Sequence, residues 1–249
     1  MKKIIKLALV KFIRPYLLSY PDNFEKLLAS GTGLYLKKTT IMTLDTNLNN
    51  FYQEINIDSL KDKIDFKKES HKLSSKIPKI DILTFNNPCR SSILNTFNIW
   101  DKRLSLLRFC RIRLDLLLLN KGQQIPPHAH RGVLSGFILL EGEVTIRHYH
   151  AKEYKENGIV CKKTVDKTLT VGDYTTNNDN RDNIHWLNGV AEKSILFRFN
   201  MTGLESSVPN YNNLGGRLYI DPSGIFAIDE LAPFINSEEV NALKYNDSE

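Results

Sequence analysis

The stretch Gly122-Gln123-Gln124-Ile125-Pro126-Pro127-His128-Ala129-His130, running on through Val133–Leu140 to Glu141-Gly142-Glu143, decides how this chain is read. In an extended strand, side chains at i and i+2 leave the same face. His128 and His130 therefore project together, which is how two imidazoles meet on one ion. A third histidine, His185, follows 55 residues later within Asn183-Ile184-His185-Trp186-Leu187-Asn188. The pattern predicts that His128, His130 and His185 share one metal inside a small β-barrel. An isolated buried histidine is usually a hydrogen-bonded core residue; a pair at i and i+2 with a third partner argues for ligation instead.

Working outward, Leu106–Leu119 reads as one long strand or two joined strands, ended by the turn residues Asn120-Lys121-Gly122. Further strands are expected over Val133–Leu140 and Val144–His150. After a charged excursion from Ala151 to Lys167, strand signals resume at Leu169–Val171, in the His185 segment and over Ser194–Asn200. Many short strands with Gly-centred turns argue for an antiparallel sandwich or barrel. The chain is thus expected to be mainly β: a barrel over 106–205, a mostly helical α/β extension over 1–105, and a tail over 206–249 that packs on the barrel.

Within the extension, Asp22 or Asn23 can cap a helix over Phe24–Ser30, with Gly31 as its stop. Leu34–Leu44, rich in Thr, Ile and Tyr, is expected as a strand. Leu48–Ile64 has a helical period, and Asp65–Asn87 reads as connecting structure.

The spacing resembles the cupin superfamily, small double-stranded β-helix barrels of the jelly-roll kind. The first cupin motif is Gly, five residues, His-x-His, three or four residues, Glu, six residues, Gly. Here Gly122, His128, His130 and Gly142 fill their slots, and Ser135 stands where Glu is usual. The second motif, a Gly-Asp turn followed by His and then Asn three residues later, is matched by Gly172-Asp173 and His185-x-x-Asn188. The Gly-to-His interval is longer than usual and lacks the Pro-x-Gly of the family.

Loss of the Glu leaves three neutral imidazoles, an arrangement that looks like the thiol dioxygenases, whose ferrous iron sits on three histidines. The resemblance implies Fe(II), with Zn, Ni or Mn as other candidates, and an O₂-dependent oxygenase acting on a small thiol or carboxylate. Ser135 replaces the Cys that forms a crosslink to Tyr in the cysteine enzyme. That enzyme's last-strand His and Tyr have no counterpart in Phe197-Arg198-Phe199. A non-catalytic metal- or ligand-binding sensor, and an isomerase or lyase using the metal as Lewis acid, stay open. Pairing into a homodimer through barrel edges is implied by the resemblance alone.

Several other side chains are candidates around such a centre. Arg111 and Arg113 share one strand face and could hold a carboxylate; Ser135 and Tyr174 are further substrate-binding candidates. A general base would come from Tyr174, Glu141 or His148. His148 and His150 have inward parity but are expected at the rim, and His71 at the surface. Gln123 and Gln124 are assigned to the turn, and Trp186 to a layer facing away from the metal.

A net charge of +6 is too mild to indicate nucleic-acid binding. The lysine-rich run Lys61–Lys79 has no aromatic beyond Phe66 to stack bases. Three widely spaced cysteines (Cys89, Cys110, Cys161) give no disulfide framework and suit a reducing compartment. Cys110 is expected as a buried small hydrophobe. At the N-terminus, the apolar run Leu7–Val10 is too short for a signal peptide or a membrane span. A self-packed amphipathic helix ending near Arg14, a cytoplasmic location and a small-molecule substrate are the resulting expectations.

Overall fold

The computed structural model describes residues 40–75, 89–92, 112–211, 217–225, 231–236 and 239–240. The expected helix at 24–30, the N-terminal amphipathic segment, Cys110 and Arg111 lie outside the described residues. Among them no helix is long and apolar enough to cross a membrane.

Eight strands form the jelly roll. They are β2 (Ile112–Asn120), β3 (Gln124–His130), β4 (Val133–Glu141), β5 (Val144–Lys155), β6 (Gly158–Leu169), β7 (Tyr174–Asn178), β8 (Ile184–Gly189) and β9 (Lys193–Thr202). They divide between two antiparallel sheets in the orders β2-β9-β4-β7 and β3-β8-β5-β6. Successive strands mostly alternate between sheets, as in the double-stranded β-helix. A short strand β1 (Cys89–Ser92) extends the first sheet beside β2. The segment expected as a tail supplies strands of the second sheet. Residues Arg217–Ile220 form β10 beside β3, and Leu231–Ile235 form β11 beside β6, closing that sheet into a ring.

Period-2 alternation sorts three apolar layers. Leu117, Leu119, Phe137, Leu139 and Leu196 face Ile125, Val144, Ile146 and Leu187 between the sheets. The opposite side of the second sheet buries Ala129, Tyr149, Ile184 and Trp186 with residues of β6, β10 and β11. The charged excursion is therefore not a loop but the long β5–β6 hairpin. Its apolar positions, Tyr149, Ile159 and Cys161, serve this layer while the charges face solvent.

The third layer joins the outer face of the first sheet to helices α1 (Ile41–Glu54), α2 (Ile57–Lys63) and α3 (Phe66–Ser75). Thr40 caps α1 by accepting from the Thr43 N–H at 3.2 Å. Leu44, Leu48, Phe51 and Tyr52 fall on one helical stripe and are buried. The strand expected through Leu44 is thus a helix from Ile41, because burial of that stripe outweighs the β-propensity of Thr and Ile. Phe66–Ser75, expected as connection, is helical as well. It is held to the same layer by Phe66 and the fully buried Leu73.

The two motif glycines Gly122 and Gly142 have φ of +72° and +83°, the left-handed region where other residues are strained. At Gly142 a Cβ would also stand 2.2 Å from the Lys193 carbonyl. The motif glycines are thereby explained by the turns that bring β3 and β5 into place.

Candidate metal centre

The approach to the centre begins with Pro126 and Pro127. Neither proline can donate to a ladder, and the β3–β8 register shifts between Ile125 and His128. After this irregularity His128 and His130 both face the interior while Ala129 joins the opposite layer. His128 then lies directly across from His185, which lies across from His148; on the other side, Tyr219 is opposite His128. One rung of the second sheet thus reads His148, His185, His128, Tyr219, with His130 one step above.

His128, His130 and His185 are all buried and place one donor nitrogen each within 4.8 Å of one another. The Nε2 atoms of His128 and His130 stand 3.1 Å apart. Two imidazoles bound about 2.0–2.1 Å from one ion at right or tetrahedral angles stand roughly 2.9–3.4 Å apart, so this pair fits. His128 Nδ1 donates to the Pro126 carbonyl at 2.7 Å, which leaves Nε2 as its bare, ligand-ready nitrogen. The Asn177 amide lies 3.1 Å from His185 Nδ1, and Asn177 Oδ1 is buried without a partner. Turning that amide places Oδ1 on the Nδ1–H, so that His185 too presents Nε2. Burial, followed by the neighbouring histidines, holds both His128 and His185 well below the ordinary imidazole value, in the neutral form that ligates. These residues fit a divalent first-row metal, and among the described residues no carboxylate joins the cluster.

The facing wall is polar. Ser135 on β4 is fully buried opposite Asn177 and Asn200, and it accepts from Asn200 Nδ2 at 3.1 Å. One layer below, Arg198 forms a buried ion pair with Asp115 and lies beside Phe137, whose ring is 5.8 Å from His185. Among the described residues, Arg198 Nε, Asn200 Oδ1 and Asn177 Oδ1 are buried without hydrogen-bond partners. Arg217, opposite His130, donates to the Tyr219 hydroxyl at 3.2 Å and helps to lower the His128 and His185 values.

The candidates from sequence separate here. Ser135 is buried on the wall that faces the histidines. Arg113 has inward parity with Asp115 but is exposed at the end of its strand. Tyr174 is turned to the helical side of the first sheet, stacked on Tyr52 at 5.6 Å, and not toward the three histidines. Glu141 is at a distant turn, ion-paired with Lys193. His150 and His71 are exposed.

His148, expected at the rim, is instead fully buried: its ring centroid is 6.4 Å from that of His185. Unbroken alternation from Val144 and Ile146 along the β5–β8 ladder gives His148 inward parity and sends Tyr149 to the other layer. Burial lowers its value to about 4, partly countered by Asp182. Trp186 faces away and donates to Gln124 at 2.8 Å. Arg198, Asn177, Asn200, Arg217 and Tyr219 were missed. Inward parity with Leu196 marks Arg198 and Asn200, whereas nothing local in the sequence pairs residues 217–219 with β3.

The chain therefore has the cupin-type double-stranded β-helix fold with a buried three-histidine cluster on one wall. No family model matches the chain, and no curated protein sequence matches it. Solved structures similar to part of it include procruciferin, an 11S globulin from Brassica napus. That alignment has 12% identity, covers 41% of this chain and 23% of that one, and gives a TM-score of 0.33. A cupin superfamily protein from Desulfitobacterium hafniense aligns at 14% identity over 37% of this chain and 69% of its own, with a TM-score of 0.27. A hydroquinone 1,2-dioxygenase, solved with Cd²⁺ and 4-hydroxybenzonitrile, aligns at 13% identity over 37% of this chain and 59% of its own, with a TM-score of 0.30.

Proposed function

We propose that this chain is a mononuclear metal enzyme of the oxygenase kind, acting on a small polar substrate held between the histidine wall and the facing polar wall. The carrying observation is three buried imidazoles converging with no carboxylate among them. Bound Fe(II) would supply the redox chemistry that lets O₂ react with an organic substrate. The rest is the chain's own work. Pro126 and Asn177 fix two ring orientations. The apolar layer below, capped by Phe137 and Leu187, excludes water from that side. Ser135, Asn200 and Arg198 offer hydrogen bonds to the substrate, and the uncompensated buried atoms on two of them supply a reason for a polar one. Arg217 at the rim favours an anionic group.

Protein purified without oxygen and loaded with Fe(II) should consume O₂ on some member of a panel of small thiols and carboxylates. His185→Ala should abolish the uptake. Stoichiometric zinc in the purified protein, with no uptake on any compound after iron loading, overturns the oxygenase reading.

A second reading, a Lewis-acid isomerase or lyase, is favoured by His148, a buried fourth imidazole outside the cluster and next to His185. It would show as zinc-supported turnover that needs no O₂ and is lost in His148→Gln.

A further inference from the structure

On the open flank of the sandwich, where the edge strands β6 and β7 part, lies a pocket of about 360 Å³. Its inner wall is His148, so it is separated from the three-histidine cluster by one imidazole. We propose that this flank pocket is a second binding site, for a small molecule carrying a carboxylate or phosphate group.

The acids of the pocket are already engaged. Asp182 accepts from Thr164 Oγ1 at 2.5 Å and pairs with Arg181 at 3.6 Å. Asp173 accepts from both the N–H and the hydroxyl of Thr170 at 2.8 Å. Three potential donor atoms make no hydrogen bond among the described residues. Lys167 is solvent-exposed on the strand parity of Val165 and Leu169; its charge helps to hold Asp173 below the usual carboxylate value, but its ammonium makes no hydrogen bond or ion pair among the described residues. Tyr174, whose ring stacks on Tyr52, also lines the pocket, and its hydroxyl makes no hydrogen bond among the described residues. His148 Nδ1 is buried without a hydrogen-bond partner among the described residues, and Thr175 Oγ1 lies 3.3 Å from Nε2. With the Thr175 hydroxyl donating to Nε2, the ring proton sits on Nδ1.

A lysine, a tyrosine and a histidine thus line one concavity whose carboxylates are held by other partners. The complementary ligand is rich in acceptors and negatively charged. Nothing in this assignment depends on a metal or on the reaction proposed above.

The test is calorimetric titration of the full-length protein with inorganic phosphate and, separately, with succinate. NMR of the histidine rings provides a second readout, His148 being assigned through His148→Gln. Saturable binding of at least one anion is expected, with movement of the His148 ring signals. Lys167→Ala should weaken it about tenfold, the share of one charge-assisted hydrogen bond, and Tyr174→Phe by a smaller factor. Lys163→Ala, which removes an exposed lysine paired with Asp166 on the same strand, should leave it unchanged. Phosphate binding alone or succinate binding alone upholds the site and names its anion. The proposal is overturned if neither anion saturates, if Lys167→Ala behaves as Lys163→Ala does, or if the His148 signals stay still at saturation.

Discussion

Asn177 on β7 reaches across the sandwich to within 3.1 Å of His185 Nδ1, tying the edge of the first sheet to a ligand carried by the second. Removing the amide frees the ring to rotate and to change tautomer while leaving Nε2 chemically intact. Loss of such an outer partner typically costs 10–100-fold in metal affinity. Asn177→Ala should therefore weaken Zn²⁺ or Co²⁺ binding by about that factor in a chelator competition titration. Equal affinity in the variant would remove Asn177 from the centre.

The metal-free protein should be acid-sensitive in a defined window. His128, His185 and His148 are all held below their ordinary value, burial being the largest cause in each case, with His148 at about 4. Unfolding restores each to roughly 6.5. Below that value the unfolded chain binds more protons than the folded one, so stability is lost as pH falls. For His148 the loss is spread between about pH 6.5 and about 4 and is on the order of 3 kcal/mol. Denaturant midpoints of chelator-treated protein should fall steadily from pH 7 to pH 5, and His148→Gln should flatten part of that slope. A midpoint independent of pH in this range would contradict the buried neutral rings.

What could be read from the sequence followed physical locality. His128 and His130 are two residues apart, so a strand period suffices to place them together. His185 could be added because its motif resembles a known one. The strands over Val133–Leu140, Val144–His150 and the His185 segment announce themselves by alternation and Gly turns and stand as expected, whereas Leu169–Val171 is the end of β6 and a turn, and β7 was not foreseen. By contrast, β10 pairs with β3 across nearly 90 residues of chain, and no local pattern in Arg217-Leu218-Tyr219 records that partnership. His148 was misplaced at the rim because the charged residues after it look like a loop. They are in fact the solvent face of the long β5–β6 hairpin, whose far end is covered by β11. Helix α1 was hidden by Thr and Ile near its start, although its stripe of Leu44, Leu48, Phe51 and Tyr52 was present all along.

Arg198 and Asp115 give a third prediction. Both are buried, side by side on β9 and β2, and they ion-pair beneath the polar wall. Breaking a buried pair from one side strands the other charge and typically costs about 3–5 kcal/mol, whereas replacing both by apolar groups is often neutral. Asp115→Leu alone should lower the unfolding free energy by an amount in that range, and Asp115→Leu with Arg198→Met should recover most of it. If the pair serves substrate, the double variant will be stable yet inactive. Little loss from Asp115→Leu alone would mean that Arg198 is not held by this partner.

The helical layer can be tested at one atom. Gly136, in the middle of β4, has its missing side chain replaced by helix α1: a Cβ there would stand 2.5 Å from a ring carbon of Tyr52 and 3.0 Å from Leu48. Tyr52 cannot easily retreat, because it stacks on Tyr174 and its hydroxyl accepts from the Phe199 N–H at 3.3 Å. Gly136→Ala must therefore push α1 off the sheet or displace that ring, and overpacking of this kind costs about 1–3 kcal/mol. The inner face of β4, with Ser135 and Phe137, points the other way, so metal affinity should change far less than stability. Pairing Gly136→Ala with Tyr52→Leu should restore part of the lost stability, since the smaller side chain vacates the contested volume. An alanine tolerated without cost, as read by chemical denaturation, would show that α1 does not pack on β4 as described.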